Sequence, residues 1–370
     1  MKSIGLYIHI PFCERKCNYC SFYSIKANDS IYDEYINKLS VAIDFWAGKL
    51  TSCFVDTIYI GGGTPSVLGS DRLIAIIDRI KRSYHLAEDT EITIEVNPNS
   101  SDKLDFKALS SAGVNRISMG LQTSDDEELR LLGRLHTRQD AMHTIELIKE
   151  AGISNFSLDV MLGIPCQSMD TLKNTLDFCI DSGAVHISTY MLKIEKNTPF
   201  YYNKDNLVFA DEDIQADMYE FTSQYLKKHG FRHYEISNFC LDDKISRHNI
   251  KYWNLDDYIG IGPSAHSMLN SERFYYSSDI NEFEASKIVF ESEGNTPDEH
   301  LMLSLRTDMG FSMNKHKELF KHLPSDSFIS EAKKLEKLGL LTFIDDRIVL
   351  TEKGFLVSNS IIACLLSKGI

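Results

Sequence analysis

The sequence lacks the features that would place the chain in a membrane or send it for export. None of its apolar runs approaches the roughly 18 residues that a membrane-spanning helix needs. The opening residues, MKSIGLYIHIPFC, contain no basic segment followed by an apolar one, so they do not resemble a signal peptide. These absences predict a cytoplasmic protein, with peripheral attachment to a membrane left open.

Positive charge is also scarce. The 370 residues include 39 Lys+Arg against 53 Asp+Glu, which gives a formal net charge of −14. Nucleic acids are bound mainly through cationic side chains that displace counterions, so this balance argues against a nucleic-acid partner. Hydrophobic residues at 43% and charged residues at 25% are ordinary globular values, and they exclude wholesale disorder.

Short β-rich runs alternate with longer helical patterns through the first part of the chain. Glycine follows several helical stretches, as in Ala112-Gly113-Val114, which is typical of a helix-to-strand connection. Repeated β-then-α units predict parallel strands with right-handed crossovers, and six units make a partial (β/α)6 barrel. The predicted strands are Gly5–Ile10, Thr57–Ile60, Ile92–Val96, Arg116–Met119, Phe156–Val160 and His186–Met191.

The pattern changes after the sixth unit. Near the end of the chain, a helical stretch over Phe328–Leu338 precedes two β-rich runs that turn on Asp345-Asp346. A helix followed by a tight hairpin resembles a winged-helix unit, and the acidic charge favours a packing role over DNA binding. We therefore predict an α/β protein with two domains, a partial barrel over residues 1–235 and a C-terminal α+β domain over residues 236–370 that contains the winged-helix-like unit.

The strongest chemical signal is a group of three cysteines, Cys13, Cys17 and Cys20, in a C-x3-C-x2-C pattern. In a cytosolic chain such clustering indicates a metal site rather than disulfides. Three thiolates can hold three irons of a [4Fe–4S] cluster and leave the fourth iron open. Structural zinc would need a fourth protein ligand, and no second Cys-x-x-Cys follows, so zinc completed by His9 or by a distant residue is the weaker alternative.

Other polar and glycine residues also follow predicted strands, at the end where barrel active sites lie. Gly61-Gly62-Gly63-Thr64-Pro65 comes after the second strand, and glycines let backbone amides approach a ligand closely. Glu95, Gln122 and Asp159 interrupt or close apolar runs, where a buried carboxylate is costly unless it is paired. We expect one shared pocket, although each residue alone could equally be a turn or surface residue.

These motifs together resemble the radical S-adenosylmethionine superfamily. The residues that carry the resemblance are Tyr7-Ile-His-Ile-Pro-Phe-Cys13, the cysteine loop with Tyr19, and Gly61-Gly-Gly-Thr-Pro65. Within the superfamily they are similar to the oxygen-independent coproporphyrinogen III oxidases and their heme-chaperone relatives of the HemW type. The resemblance implies that the open iron binds S-adenosylmethionine and that the reduced cluster can cleave it to a radical. By motif match it implies contacts to S-adenosylmethionine from Tyr7, Gly62, Gly63, Thr64, Glu95, Gln122, Arg134 and Asp159.

The chain departs from the oxidases of this subgroup in two places. Ser21-Phe22 follows Cys20, where those oxidases carry a further cysteine, and only six residues precede Tyr7 in place of their long N-terminal arm. In contrast, residues 247–253 match the His-Asn-x-x-Tyr-Trp motif of the heme chaperones. The resemblance therefore implies a protein that passes heme to respiratory proteins, membrane-bound ones included, without coproporphyrinogen III oxidase activity.

The same segment supplies candidate heme contacts. His248 offers an imidazole, a common axial ligand to heme iron, and Tyr252 and Trp253 offer flat faces for a porphyrin. A capped helix with aromatic side chains packed beneath it is the alternative interpretation. His266, in a second glycine-rich loop, is another ligand candidate, although a structural role is favoured there. Coproporphyrinogen III decarboxylation, radical tRNA modification and a homodimer are alternatives that stay open.

Overall fold

The computed structural model describes all 370 residues and contains fifteen strands and fourteen helices. The strands are β1 (Lys2–Ile10), β2 (Cys53–Gly62), β3 (Leu86–Val96), β4 (Arg116–Gln122), β5 (Phe156–Leu162), β6 (His186–Met191), β7 (Arg232–Glu235), β8 (Asn238–Cys240), β9 (Tyr258–Ile261), β10 (His266–Leu269), β11 (Glu272–Tyr276), β12 (Ile288–Glu293), β13 (Phe311–Ser312), β14 (Leu341–Ile344) and β15 (Arg347–Leu350). The helices are α1 (Asp29–Lys49), α2 (Ser70–Ser83), α3 (Phe106–Ser111), α4 (Asp126–Leu132), α5 (Arg138–Glu150), α6 (Met169–Asp181), α7 (Pro199–Asn203), α8 (Glu212–Lys228), α9 (Arg247–Asn254), α10 (Pro297–Ser304), α11 (Met313–Phe320), α12 (Asp326–Lys337), α13 (Glu352–Leu356) and α14 (Ser358–Leu366). None of the helices has both the length and the apolar character that crossing a bilayer would require.

The first six strands form the partial barrel that the sequence predicts. Each strand pairs in parallel with the next, in the order β1-β2-β3-β4-β5-β6, and helices α1 to α6 connect them. Along β1, the fully buried Ile4, Leu6 and Ile8 alternate with Tyr7 and His9. Because successive side chains of a strand point to opposite faces, the aliphatic set packs under the helices while the polar set faces the barrel interior.

The sheet continues beyond these six strands at both edges. The β7–β8 hairpin joins β6, and β9 runs parallel to β1 on the other side, so that the full order is β12-β11-β10-β9-β1-β2-β3-β4-β5-β6-β8-β7. One core of 54 buried residues extends from Ile4 to Phe283, and a separate core of 13 extends from Leu301 to Leu365. The domain boundary after residue 235 stays a prediction. All the strands up to Glu293 belong to the first sheet.

The C-terminal segment builds a small sheet of its own. Helix α12 precedes the hairpin β14–β15, which turns at Asp345-Asp346 as the sequence predicts, and β13 adds a third strand in the order β13-β15-β14. The Asp346 carboxylate accepts hydrogen bonds from Ser312 Oγ at 2.6 Å and from the Asn314 amide at 3.2 Å. The turn is therefore tied to the start of α11. The assignment of these elements as a winged helix stays a prediction.

Candidate functional site

The three clustered cysteines and most of the predicted S-adenosylmethionine contacts meet at one cavity at the carboxyl ends of the barrel strands. Its volume is about 510 Å³, which lies in the range of small-molecule sites. All three clustered cysteines line it, as do seven of the eight predicted S-adenosylmethionine contacts: Gly62, Gly63, Thr64, Glu95, Gln122, Arg134 and Asp159. Tyr7 is not on the cavity wall, and its hydroxyl lies 2.9 Å from Nδ1 of His9.

Backbone hydrogen bonds to separate segments shape the cysteine loop. The Cys13 amide donates to the Ile25 carbonyl at 3.0 Å, and the Asn18 amide donates to the Leu132 carbonyl at 2.9 Å. All three cysteines are free thiols and are partly exposed. The loop therefore presents three unpaired sulfur ligands to the cavity.

No three His, Cys, Asp or Glu side chains, the cysteines of the loop included, form a group that could hold a single metal ion. A tetrahedral zinc site brings its ligands within about 2.0–2.3 Å of one centre, which forces the sulfur atoms together. A cubane cluster binds each thiolate through a different iron, so it accepts ligands that lie farther apart.

A chain of polar contacts runs from the first cysteine to the second. Thr64 Oγ1 lies 3.4 Å from Cys13 Sγ and accepts a hydrogen bond from Asn97 Nδ2 at 2.9 Å. Asn97 Oδ1 accepts from the Arg134 guanidinium at 2.6 Å, and the same guanidinium donates to Cys17 Sγ at 3.6 Å. Donors placed beside thiolates stabilise their negative charge and tune the potential of a bound cluster.

The glycine loop fits closely against the cysteine loop. Gly62 has φ +114°, and a Cβ there would lie 2.5 Å from the His9 ring. A Cβ on Gly63 would lie 2.6 Å from the Phe12 carbonyl oxygen. The Gly63 and Thr64 amides donate to the carbonyls of Ile10 and Phe12, both at 2.8 Å. Only glycine allows the two loops to approach this closely.

Two carboxyl groups form the acidic part of the cavity wall. Glu95 accepts hydrogen bonds from the Tyr59 hydroxyl at 2.8 Å and from the Gly62 amide at 3.0 Å. Burial raises the pKa of Glu95, and these two hydrogen bonds oppose the rise. Burial, followed by the negative charge of Glu95, raises the pKa of Asp159 to about 7. The pocket therefore attracts a cation most strongly above neutral pH, when both groups are ionised.

Two further residues escape the sequence analysis: Asn97, which lines the cavity, and Arg116, which acts on its carboxyl groups through its charge. Arg116, at the start of β4, is only 1% exposed, and neither its Nε nor one of its terminal nitrogens has a hydrogen-bond partner. Its positive charge opposes the rise in the pKa of Glu95 and of Asp159. Nothing in the local pattern distinguishes this arginine from a surface residue. Asn97 could have been found, because it stands directly after a predicted strand and before Pro98.

The predicted heme residues do not reach this cavity. His248 is fully buried, with Nδ1 2.8 Å from Thr57 Oγ1 and Nε2 2.8 Å from the Tyr252 hydroxyl. Burial lowers the pKa of His248 to about 3. Trp253, on the same helix α9, is partly exposed. Either ring nitrogen of His248 could bind iron only after one of these contacts is broken, so its role as a heme ligand stays a prediction.

Comparison with known proteins agrees with this geometry. The radical SAM superfamily profile matches residues 7–179, and the HemN C-terminal domain profile matches residues 295–357. The chain is 32% identical to the heme chaperone HemW of Bacillus subtilis, over 98% of this chain and 99% of that protein. It is 38% identical to the heme chaperone HemW of Escherichia coli, over 71% and 69% of the two chains. The solved structure of the radical SAM coproporphyrinogen III oxidase HemN from Escherichia coli has the same fold, with a TM-score of 0.84 at 21% identity over 98% of this chain and 90% of that one.

Proposed function

The chain belongs to the HemW family of the radical S-adenosylmethionine superfamily, and we propose that it binds heme and delivers it to heme-accepting proteins of the respiratory chain. One observation carries this proposal. The relationship to the Bacillus subtilis heme chaperone spans 98% of this chain and 99% of that protein, so it includes the barrel, the strands added to it and the C-terminal segment.

Membership of the superfamily implies a [4Fe–4S] cluster and S-adenosylmethionine. We propose that Cys13, Cys17 and Cys20 hold three irons and that S-adenosylmethionine meets the fourth, which would give this site access to radical chemistry. The free thiols on one cavity wall fit such a cluster. The other cavity residues would bind and orient the cosubstrate, with Glu95 and Asp159 facing its positive charge and Arg134 available to its carboxylate.

Replacing Glu95 with glutamine should weaken the binding of S-adenosylmethionine by about ten- to hundredfold. The change removes one charged partner, which is worth roughly 1.5–3 kcal/mol, while glutamine still accepts from Tyr59. Equilibrium dialysis of the cluster-loaded protein measures the effect. Glu127→Gln is the matched control, because that side chain is 79% exposed on α4. Equal affinity in the two variants would rule out the proposed pocket.

The affinity for S-adenosylmethionine should also depend on pH, through the ionisation of Asp159. A bound cation stabilises the ionised carboxylate, whose pKa is about 7 without ligand, so affinity should fall as the pH drops through neutrality. Dissociation constants measured between about pH 6 and pH 8.5 test this. The Asp159→Asn variant should bind S-adenosylmethionine more weakly than the wild type at high pH. Its affinity should no longer fall as the pH drops through neutrality. An unchanged pH profile in Asp159→Asn would assign the titration to another group.

Oxidative decarboxylation of coproporphyrinogen III is the second candidate function, and the HemN-like fold and C-terminal domain favour it. One residue on the cavity wall argues against this second function. Phe22 stands where the oxidases that the chain resembles carry a further cysteine, and its side chain is 69% exposed on the cavity wall. An exposed aromatic ring can contact a porphyrin face, but it cannot supply thiol chemistry.

Two assays on the anaerobically reconstituted protein test the proposed function. In the first, heme is added, the absorption spectrum is recorded, and the loaded protein is mixed with an apo-form of a b-type heme protein. We expect stoichiometric binding and transfer to the acceptor. In the second, coproporphyrinogen III is added with S-adenosylmethionine and a reductant, and no protoporphyrinogen is expected. Conversion at an enzymatic rate, or failure to bind heme, would overturn the proposal.

A further inference from the structure

A heme-binding histidine needs one ring nitrogen free for iron, and it gains from a hydrogen bond that fixes the other. His248 fails the first condition in this structure, because it is fully buried and both of its nitrogens lie 2.8 Å from hydroxyl groups. A different histidine meets both. His266 opens strand β10, and its side chain is 52% exposed.

The ring of His266 is held in place on two sides. Its Nδ1 lies 3.2 Å from a carboxylate oxygen of Glu291, and its plane stacks on the Tyr275 ring at 5.1 Å with an angle of 26°. An ionised carboxylate can only accept a hydrogen bond, so Nδ1 carries the proton and Nε2 keeps its lone pair. Nε2 makes no hydrogen bond within the chain, and it is the atom that carboxylate-supported histidines offer to a metal.

The neighbouring strands place apolar surface beside this imidazole. His266 pairs with Tyr275 on β11, and Tyr275 pairs with Val289 on the edge strand β12. Residues paired in this way project from the same face of a sheet, so the three side chains form one continuous strip. Val289 is 42% exposed although it is aliphatic. The strip therefore combines a metal-binding nitrogen with aromatic and aliphatic surface, which is the chemistry of a porphyrin-binding face.

The strip also lies close to the barrel. Strand β9 alone separates β10 from β1, the strand that leads into the cysteine loop. Met268 pairs with Tyr258, and Tyr258 pairs with Gly5, so the register brings His266 level with Gly260 and with Tyr7 on β1. At the ordinary spacing of about 4.8 Å between strands, His266 is roughly 10 Å from β1 across the sheet.

We propose that heme binds on the strip formed by His266, Tyr275 and Val289, with Nε2 of His266 as an axial ligand to the iron. Glu291 is a positioning residue that fixes the imidazole through Nδ1. Tyr275 and Val289 contact the porphyrin. This inference rests on the proposed function, because it assigns the place where the chain would hold the heme that it carries.

Titration of the full-length, cluster-loaded protein with ferric heme tests the assignment, with the Soret band as the readout. His266→Ala should weaken heme binding by at least about tenfold and shift the Soret maximum, and added imidazole should restore the wild-type spectrum. Glu291→Gln should weaken heme binding less than His266→Ala does. Binding of iron-free protoporphyrin should be nearly the same in wild type and His266→Ala, since that ring forms no iron bond.

His248→Ala is the comparison variant, and circular dichroism verifies that it folds. We expect it to keep the wild-type Soret maximum. If the wild type does not bind heme, the proposed function fails. If the wild type binds heme and His266→Ala matches it in affinity and spectrum, the proposed function stands and the His266 site is wrong. A shifted Soret maximum in folded His248→Ala, together with a wild-type spectrum in His266→Ala, would place the ligand at His248 instead.

Discussion

Alanine in place of Cys17 is expected to reduce the iron content of the reconstituted protein from about four atoms per chain to none. Only three cysteines line the cavity, so each must bind a different iron and no spare thiol can replace a missing one. Cys17 is also the cysteine that receives the Arg134 guanidinium, at 3.6 Å. Removing it leaves that partly buried cation without its anionic neighbour, and two ligands do not retain a cubane cluster.

Iron and sulfide analysis with the visible absorption spectrum, after anaerobic reconstitution, measures this effect. Cys166→Ala is the matched control, since Cys166 is a free and exposed cysteine that makes no side-chain hydrogen bond and does not line the cavity. It should keep the full cluster. A full complement of iron in Cys17→Ala would show that another residue completes the site, and the three-cysteine assignment would have to be abandoned.

The sequence predicts the barrel well because local signals carry it. All six predicted strands lie within β1 to β6, and the strand-end residues meet at one cavity because parallel strands bring their carboxyl ends to the same edge. The cysteine spacing is likewise local, since all three thiols belong to one loop. For these features, the pattern of a few neighbouring residues fixes both the element and its position in the site.

The features that sequence analysis did not foresee depend on distant parts of the chain. Arg116 is a barrel-interior residue only because Glu95 and Asp159 lie on the two adjacent strands, β3 and β5. His248 of α9 is fully buried because it packs against Thr57 and Tyr59 of β2, which lie far away in sequence. No local pattern in residues 247–253 signals these contacts.

Charged groups hold helix α9 against strands β2 and β3. The Glu91 carboxylate accepts hydrogen bonds from the amides of Arg247 and His248, at 3.3 and 3.1 Å, and so caps the first turn. Lys251 Nζ lies 2.8 Å from the Asp56 carboxylate on β2, and the two side chains are only 5% and 17% exposed. A buried pair of this kind leaves a costly isolated charge when one partner is removed.

Replacing Lys251 with methionine should therefore lower the free energy of unfolding by about 3–5 kcal/mol. Methionine has a similar length and fills the same space, so the main change is the loss of the cation. Asp56 then keeps a buried negative charge, and its Oδ1 already lacks a hydrogen-bond partner. Since the free energy of unfolding of an ordinary domain is roughly 5–15 kcal/mol, this loss would be a large part of the total stability. Urea denaturation under anaerobic conditions, followed by circular dichroism, measures the loss.

Two further variants separate the buried charge from the loss of a lysine. Lys251→Met combined with Asp56→Asn removes both charges and should recover most of the stability. Lys173→Met makes the same substitution in an exposed pair with Asp177, with side chains 47% and 35% exposed, and should cost less than about 0.5 kcal/mol. If Lys251→Met costs no more than Lys173→Met, then water reaches Asp56 and the pair does not anchor α9. A cost that the double variant relieves would instead show that the Lys251–Asp56 pair holds the helix that carries His248 in place.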